Sequence, residues 1–225
     1  MTGNVPAGVS ARASAAIFVS GGGTTLQAFI DEVSAGRLDL DLAVVVSNNP
    51  HAMALKRARD AGIPVECVPN AGYPERALFD QALESTVDRY RPDLLILAGF
   101  MRILTSAFVS RYEGRLLNIH PSLLPRFPGL NTHQRVIDAG DRTHGSTVHF
   151  VTEELDAGPA IMQGRLSVQP DDTAESLTHR VQAIEHKIYP ATAALFAAGR
   201  LTYSNGDAWL DRQRLDQPLQ YGTDT

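Results

Sequence analysis

Short apolar segments that alternate with amphipathic ones constrain the fold of this chain more than any other feature. Residues 15–19 (AAIFV), 41–47 (DLAVVVS) and 94–99 (LLILAG) are typical of buried strands, and helical patterns separate them. Strands that alternate with helices in this way form parallel sheets covered on both faces. The sequence therefore predicts an α/β fold with a doubly wound, mostly parallel sheet.

The other segments continue this alternation. Further strands are expected at residues 63–68, 116–120, 146–152 and 159–168, the first of them near a sheet edge because it contains a proline. Helices are expected at residues 26–36, 51–61, 74–90, 105–112 and 173–198. The tight DAGP turn at residues 156–159 indicates that the last strands run antiparallel, before a long C-terminal helix.

The length of 225 residues fits a single domain, which we assign to residues 15–215. Residues 1–14 are small and polar and lack the apolar centre of a signal peptide, so we expect a disordered lead. Residues 216–225 are expected to form a C-terminal tail.

Composition limits the partners of this domain. A net charge of -5 argues against a nucleic-acid groove, and no apolar run reaches the length of roughly 18 residues that a membrane span needs. The single cysteine, Cys67, excludes an internal disulfide and a zinc cluster, which fits a reducing cytoplasm. We expect a buried thiol there rather than a nucleophile. Small-molecule substrates are the expected partners, with no nucleic acid and no membrane.

The segment LLNIHPSLLPRFPG, residues 116–129, is the strongest candidate for chemistry. Asn118 and His120 share one face of its strand, and three prolines then fix the backbone beyond it. An amide donates two hydrogen bonds and an imidazole titrates near neutrality, so the pair suits oxyanion stabilisation and proton transfer. The alternative is a strand end whose polar side chains only satisfy the loop backbone. For this loop we also expect a cis Leu124–Pro125 bond and a mobile lid over residues 126–145.

A glycine-rich turn, SGGGTTLQ at residues 20–27, follows the first strand and opens the first helix. The N–H groups of Gly23, Thr24 and Thr25 can point at an anion near the helix N-terminus, which suits a phosphate. No acidic residue closes the second strand and no lysine follows the loop, so neither the dinucleotide nor the Walker pattern applies. The alternative is a tight turn with no ligand.

Two further segments fit the same cleft. Asp156 lies in a loop before Gly158, where it can face His120 across the carboxyl end of the sheet and favour the protonated imidazolium; alternatively it bonds its own turn. Residues 98–104 (AGFMRIL) follow the most buried strand, and their apolar side chains suit a flat aromatic ligand. Within that segment, Arg102 is alternatively a surface charge.

The remaining histidines and acids favour simpler interpretations. His133, His144 and His149 lack metal-ligand spacing, so no metal is expected. His149 falls in mid-strand, where a hydrogen-bonded core histidine is the favoured interpretation. For Glu185, in the last helix, a solvated or paired carboxylate is the default.

Taken together, these segments resemble the folate-dependent glycinamide ribonucleotide formyltransferases of purine synthesis. The likeness runs in register from about residue 15 to Leu215, through SGGGTTLQ, VVSNNPHAMALKRARDAGIP, LAGFMRIL, RLLNIHPSLLPRFPGLNTH, GSTVHFVTEELDAGPAI, IEHKIYP and AWLDRQRL. The HPSLLP block is shared with other formyl-folate enzymes, including methionyl-tRNA formyltransferase and formyltetrahydrofolate hydrolase and dehydrogenase. The glycine-rich turn at residues 20–27, which we call the phosphate loop, and the length favour the ribonucleotide enzymes.

The resemblance implies a role for each matching residue. Asn118, His120 and Asp156 match the catalytic trio. The positions that match the ribonucleotide site are Gly23, Thr24, Thr25, Gln182 and Glu185. The positions that match the formyl-folate site are Arg76, Met101, Arg102, Ile103, Leu104, Asn118, Val151 and Asp156. Two departures stand out, since Thr24-Thr25 replaces the family's more usual Ser-Asn pair and Asn131 replaces a frequent histidine.

The resemblance also implies 10-formyltetrahydrofolate as co-substrate, no metal, a homodimer and a cytoplasmic location. The amine of glycinamide ribonucleotide would attack the formyl carbon directly, and Asn118 with protonated His120 would stabilise the alkoxide. Asp156 would hold that histidine and relay a proton through water. Two alternatives stay open, namely a formyltetrahydrofolate hydrolase, which would be expected to carry an extra N-terminal domain, and a non-catalytic nucleotide-binding module.

Overall fold

The computed structural model describes residues 12–222, whose strands form one eight-stranded sheet and one three-stranded sheet. The strands of the large sheet are β1 (Ser14–Val19), β2 (Asp41–Ser47), β3 (Val65–Cys67), β4 (Leu94–Leu97), β5 (Leu116–His120), β6 (Thr143–Phe150), β7 (Ala160–Ser167) and β11 (Leu219–Tyr221). Their order across the sheet is β11-β7-β6-β5-β4-β1-β2-β3. The strand predicted at residues 63–68 is therefore an edge strand, as expected.

Residues 12–222 also contain six α-helices, which lie between these strands or after β7. They are α1 (Thr24–Ser34), α2 (Met53–Asp60), α3 (Arg76–Asp88), α4 (Ser106–Arg111), α5 (Thr132–Asp138) and α6 (Ala174–Ala197). The longest, α6, starts with a capping box in which the Thr173 side chain accepts from the Ser176 N–H and the Ser176 side chain accepts from the Thr173 N–H. A short 3-10 turn lies at Asn70–Gly72.

Strand β6 alone runs against its neighbours in the large sheet. It pairs antiparallel with β5 and with β7, whereas every other pairing in this sheet is parallel. This arrangement confirms the predicted α/β class, with its mostly parallel sheet, antiparallel turn near the C-terminal end and long last helix.

The sheet separates two apolar layers. Ile17 of β1 packs in the layer that α1, α2 and α6 cover, while Phe18 packs in the layer that α3 and α4 cover. All four residues of β4 are buried, as expected for a central parallel strand. The Tyr189 hydroxyl of α6 lies 3.2 Å from the carbonyl of Leu97 and 2.9 Å from that of Leu117, so this helix is bound to β4 and β5 near the edge where β4 ends.

The small sheet was missed by the sequence analysis. It consists of β8 (Leu201–Ser204), β9 (Asp207–Leu210) and β10 (Gln213–Arg214), with antiparallel pairing throughout. Within the predicted tail, Leu219–Tyr221 pairs with β7 as an edge strand of the large sheet. Positions 1–11 of the predicted lead lie outside the described residues, as do the last three residues of the predicted tail. The lead was predicted too long at its other end, because Ser14 already belongs to β1. The assignment of one domain to residues 15–215 stays a prediction.

Three local expectations were wrong. The helix predicted from Pro74 begins two residues later at Arg76, because Glu75 occupies the N-cap position with extended dihedrals. The segment predicted as a lid is not one long loop, since α5 and the start of β6 occupy much of it, and its mobility stays a prediction. Cys67 is exposed rather than buried, because it lies on edge strand β3, and partial desolvation raises the pKa of its thiol. The predicted cis bond at Leu124–Pro125 is confirmed.

No helix within residues 12–222 combines the length and the apolar character that a bilayer crossing requires.

Candidate active site

The glycine-rich loop joins β1 to α1 at the carboxyl edge of the sheet. Gly23 is the N-cap of α1 and has φ 72°, a left-handed conformation that glycine adopts without strain. A Cβ at this position would come within 2.6 Å of the Ala54 Cβ, so only glycine fits beside α2. The N–H groups of Gly23, Thr24 and Thr25 make no hydrogen bond within residues 12–222 and are available to an anion.

Helix α2 fixes the direction of the loop's peptide groups. The Ala54 N–H donates to the carbonyl of Gly21 at 3.0 Å, and Nε of Arg57 donates to the carbonyl of Gly22 at 2.8 Å. In a trans peptide the C=O and the following N–H point in opposite directions. The N–H groups of Gly22 and Gly23 therefore face away from α2, on the side where a ligand would bind.

Asn118 receives its orientation from His149 on the neighbouring strand. Nδ1 of His149 lies 2.8 Å from the carbonyl of Phe150, which can only accept, so Nε2 is left as an acceptor. Nδ2 of Asn118 lies 3.2 Å from that Nε2 and donates to it. Burial lowers the pKa of His149 to about 4, which keeps the ring neutral at physiological pH. One amide hydrogen of Asn118 is thus used, and the second remains for a ligand.

His120 has an oxygen acceptor next to each ring nitrogen. Its Nε2 lies 2.9 Å from the carbonyl of Phe127, and its Nδ1 lies 3.4 Å from Oδ2 of Asp156. The side chains of His120 and Asp156 are each 7% exposed. Because the Phe127 carbonyl only accepts, Nε2 carries a hydrogen. The predicted proximity of these two residues is confirmed.

Asp156 approaches His120 by a different route from the expected one. Since β6 is antiparallel, its last residue, Phe150, pairs with Leu117 at the start of β5 rather than with the end of β5. The loop after β6 therefore travels back along the sheet before Asp156 reaches His120. Asp156 has φ 54°, and its Oδ2 also accepts from the Gly129 N–H at 2.8 Å, so the carboxylate joins two loops.

Helix α6 adds a buried acid behind the histidine. The Ser146 hydroxyl lies 2.7 Å from the backbone carbonyl of His120 and 2.9 Å from Oε1 of Glu185. A hydroxyl has one hydrogen, so both contacts are satisfied when Ser146 donates to the carbonyl and a protonated Glu185 donates to Ser146. Burial raises the pKa of Glu185, which agrees with this arrangement. Glu185 is thus paired rather than solvated, and Gln182 lies one turn earlier, half-buried.

An apolar wall follows β4 at the same edge of the sheet. Met101 and Ile103 expose 70% and 56% of their surface, although both are large apolar residues. The guanidinium of Arg102 lies over the Phe79 ring at 4.9 Å, and Leu104 is half-buried. Arg102 is therefore packed on α3 and is not a free surface charge.

The remaining predicted residues lie on either side of this wall. Arg76 is the first residue of α3, is exposed, and has no ion pair or hydrogen bond to its side chain within residues 12–222. Val151 is half-buried, and its N–H donates to the carbonyl of Leu116 at 2.9 Å. Within the described residues, no three His, Cys, Asp or Glu side chains are grouped so that they could hold a metal ion.

Sequence reasoning missed three parts of this site. His149 was interpreted as a core histidine, and it is one, but it also orients Asn118. Ser146 carried no signal, because its importance comes from Glu185, 39 residues away. The contact of Phe127 with His120 depends on loop geometry that no local pattern encodes.

Comparisons with known proteins agree with this geometry. A family model described as formyl transferase matches residues 13–193. The chain is 47% identical over 208 residues to the phosphoribosylglycinamide formyltransferase of Escherichia coli (strain K12), covering 92% of this chain and 98% of that protein. A solved phosphoribosylglycinamide formyltransferase from Coxiella burnetii superposes with a TM-score of 0.90 at 48% identity, over 94% of this chain and 100% of that one. A formyltetrahydrofolate deformylase from Pseudomonas syringae pv. tomato is more distant, with a TM-score of 0.82 at 26% identity over 88% of this chain and 66% of that one.

Proposed function

The chain belongs to the formyl transferase family, and we propose that it transfers the formyl group of 10-formyltetrahydrofolate to the amine of 5-phosphoribosylglycinamide. The products are formylglycinamide ribonucleotide and tetrahydrofolate, in de novo purine (IMP) biosynthesis. The enzyme is thus a phosphoribosylglycinamide formyltransferase, which matches the names of the relatives that align with the chain almost end to end.

One observation carries the proposal for the catalytic residues. Nδ1 of His120 lies 3.4 Å from Oδ2 of Asp156, both side chains are buried, and Asn118 lies two residues earlier on the same face of β5. A buried imidazole beside a carboxylate, next to a free amide hydrogen, provides a proton and two hydrogen-bond donors in a site of low dielectric. Acyl transfer to an amine needs these groups.

The proposed reaction starts when the amine nitrogen attacks the formyl carbon. The carbonyl electrons move to oxygen, and Asn118 and His120 donate hydrogen bonds to the resulting alkoxide. The former amine then loses a proton, which Asp156 relays through water to the departing folate nitrogen. The alkoxide re-forms the carbonyl as the bond between carbon and the folate nitrogen breaks. Neither a covalent enzyme intermediate nor a metal ion is required in this sequence.

His120 must release one contact to donate to the substrate. The carbonyl of Phe127 occupies the hydrogen-bond position on Nε2, while Nδ1 faces the carboxylate of Asp156. We assign the formyl oxygen to the position that the Phe127 carbonyl now holds. Substrate binding would then shift residues 126–131, which connect the cis-proline loop to α5.

We assign the ribonucleotide site to the phosphate loop and α6. The N–H groups of Gly23, Thr24 and Thr25 make no hydrogen bond within residues 12–222, and the positive end of the α1 dipole adds to their attraction for a phosphate. Gln182 and Glu185 on α6 are assigned to the nucleoside part of the substrate.

We assign the formyl-folate site to the apolar wall after β4. The backbone groups of Ile103 and Leu104 make no hydrogen bond within residues 12–222, so the polar edge of a pteridine can satisfy them. Exposed Arg76 suits the carboxylate of the folate tail. The full set assigned to this site is Arg76, Met101, Arg102, Ile103, Leu104, Asn118, Val151 and Asp156.

We further propose that the enzyme is a cytoplasmic homodimer that acts on small molecules and has neither nucleic-acid nor membrane partners. Light scattering coupled to size-exclusion chromatography measures the mass of the assembly. A monomeric mass at micromolar concentration would contradict the homodimer.

The experiment that tests the function measures folate absorbance after mixing the chain with 10-formyltetrahydrofolate, with and without phosphoribosylglycinamide. We expect turnover only when the amine is present. Turnover without the amine would instead assign a hydrolase, the activity class of the distant deformylase neighbour. No turnover in either mixture would leave a nucleotide-binding module.

A further inference from the structure

Asp80 on α3 is a buried carboxylate outside the site described above. The residue is 2% exposed, and its Oδ2 accepts from the backbone N–H of Thr105 at 2.6 Å. Its Oδ1 is buried and has no hydrogen-bond partner within the described residues. A buried carboxylate with one unpaired oxygen lowers stability compared with an apolar residue of the same shape, so packing alone does not explain it.

A second aspartate on the same helix gives the contrast. Asp88 lies eight residues further along α3, and both of its oxygens are paired with the α4 region, through the Tyr112 hydroxyl at 2.8 Å and through Arg111. Its side chain is 41% exposed. Asp88 therefore joins the two helices in the ordinary way, whereas Asp80 contacts the backbone just before α4 begins.

The segment that Asp80 holds is the apolar wall. At one end of this wall, the Met101 N–H donates to Oγ of Ser20 at 2.8 Å. At the other end, the Thr105 N–H donates to Asp80, and between them Arg102 packs over Phe79, the residue next to Asp80. Residues 103 and 104 lie between these anchors, and their backbone groups make no hydrogen bond within the part of the chain that the structure describes.

We propose that Asp80 is a positioning residue for the formyl-folate site, because its buried carboxylate fixes the end of the wall formed by residues 101–105. The inference rests on the proposed function. Asp80 lies one helical turn after Arg76, on the same face of α3. This face would then carry both Arg76, which is assigned to the folate tail, and Asp80, which fixes the position of the wall. Movement of Thr105 would displace Ile103 and Leu104, and the affinity for folate would fall while the ribonucleotide site stayed intact.

The test compares Asp80→Ala and Asp80→Asn with the matched control Asp88→Asn. Loss of a charge-assisted hydrogen bond to the wall should raise the KM for 10-formyltetrahydrofolate by about tenfold in Asp80→Ala, with the KM for phosphoribosylglycinamide unchanged. Asp80→Asn keeps a neutral acceptor for the Thr105 N–H and should recover part of this loss. Asp88→Asn should lower the melting temperature and leave both KM values as in the wild type.

A third variant removes the same hydrogen bond from the donor side. Thr105 has φ -73°, which proline can adopt, so Thr105→Pro deletes the N–H with little change of backbone angle, but it also removes the Oγ1 that accepts from the Phe108 N–H at the N-cap of α4. We expect the same selective rise in the folate KM. The inference would be overturned if both KM values changed equally, or if neither changed. It would also be overturned if every Asp80 variant failed to fold while Asp88→Asn folded. These outcomes differ from the one that would contradict the proposed function, because in that case the wild type itself would show no amine-dependent transfer.

Discussion

The two halves of the candidate active site offer different kinds of groups to the ligands proposed for them. The phosphate loop offers backbone N–H groups, and its shape depends on Gly23 and on helix α2 a short distance along the chain. The His120 half offers side chains from β5, β6 and the Asp156 loop, which the antiparallel β6 brings together. A backbone site tolerates changes of side chain but not of conformation. A side-chain site has the opposite sensitivity, and substitutions can separate the two.

Loss of the imidazole at His120 or of the negative charge at Asp156 should have the largest effect. We expect His120→Ala and Asp156→Asn to lower kcat by about 10²- to 10⁴-fold, because each removes a group from proton transfer or oxyanion binding. Asn tolerates the positive φ at position 156, so the second variant changes charge with little change of backbone. Single-turnover rates, with circular dichroism to verify folding, measure the loss. Near-normal rates in either folded variant would contradict the assigned roles.

A change of backbone should be the next most damaging. Gly23→Ala forces a Cβ to within 2.6 Å of Ala54 at φ 72°, and we expect the KM for phosphoribosylglycinamide to rise by about 100-fold. Gly36→Ala is the matched control at the other end of α1, since Gly36 has φ 70° but a Cβ added there would meet no atom within 4 Å. This control should be less stable than the wild type but have the same KM for phosphoribosylglycinamide. Similar kinetic effects from both glycines would show that strain, rather than the shape of the loop, matters.

Acid should destabilise the fold in part through His149, which belongs to the side-chain half. The folded pKa of His149 is depressed to about 4 by burial, from an ordinary value of 6.5, so the unfolded chain binds a proton first as the pH falls. The stability that neutral His149 provides is complete above pH 6.5 and is lost as the pH falls towards 4. At pH 5 the loss is about 2 kcal/mol. Urea unfolding at pH 7.5 and pH 5 measures it, and His149→Phe should reduce the difference between the two pH values by that amount. An unchanged difference would mean that His149 is not the group responsible.

The smallest expected effect concerns the orientation of Asn118. His149→Phe removes the acceptor at Nε2 that holds the Asn118 amide, and we expect kcat to fall by about tenfold. Asn118→Ala should cost more, and the double variant should be no worse than Asn118→Ala alone, because both changes act through one amide. A double-mutant cycle on kcat tests this coupling. Additive losses would mean that His149 supports the enzyme in another way.

The difference between the two halves of the site also explains which parts of the site and the fold could be predicted from the sequence. The loop at residues 20–27 and strand β5 have local signatures, such as glycines before a helix or an apolar run before prolines, and both were located correctly. The contact between His120 and Asp156 was expected, but its route was not, since the direction of β6 depends on pairing with distant strands. The links from His149 to Asn118 and from Glu185 to Ser146 join residues at least 31 positions apart. No periodic pattern records such pairs. The small sheet of β8 to β10 was missed because its strands have only two to four residues each.

The left-handed backbone at Asp156 restricts which sequences evolution can explore at this position. At φ 54°, most side chains incur a steric penalty of about 1–2 kcal/mol, which Phe127 bears at the same angle, whereas Gly, Asn and Asp are tolerated more readily, and of these three only Asp provides a negative charge. Glutamate, the usual conservative neighbour, would keep the charge but incur that penalty and displace the oxygen that Gly129 and His120 share. A replacement of Asp156 therefore costs either backbone strain or the negative charge next to His120.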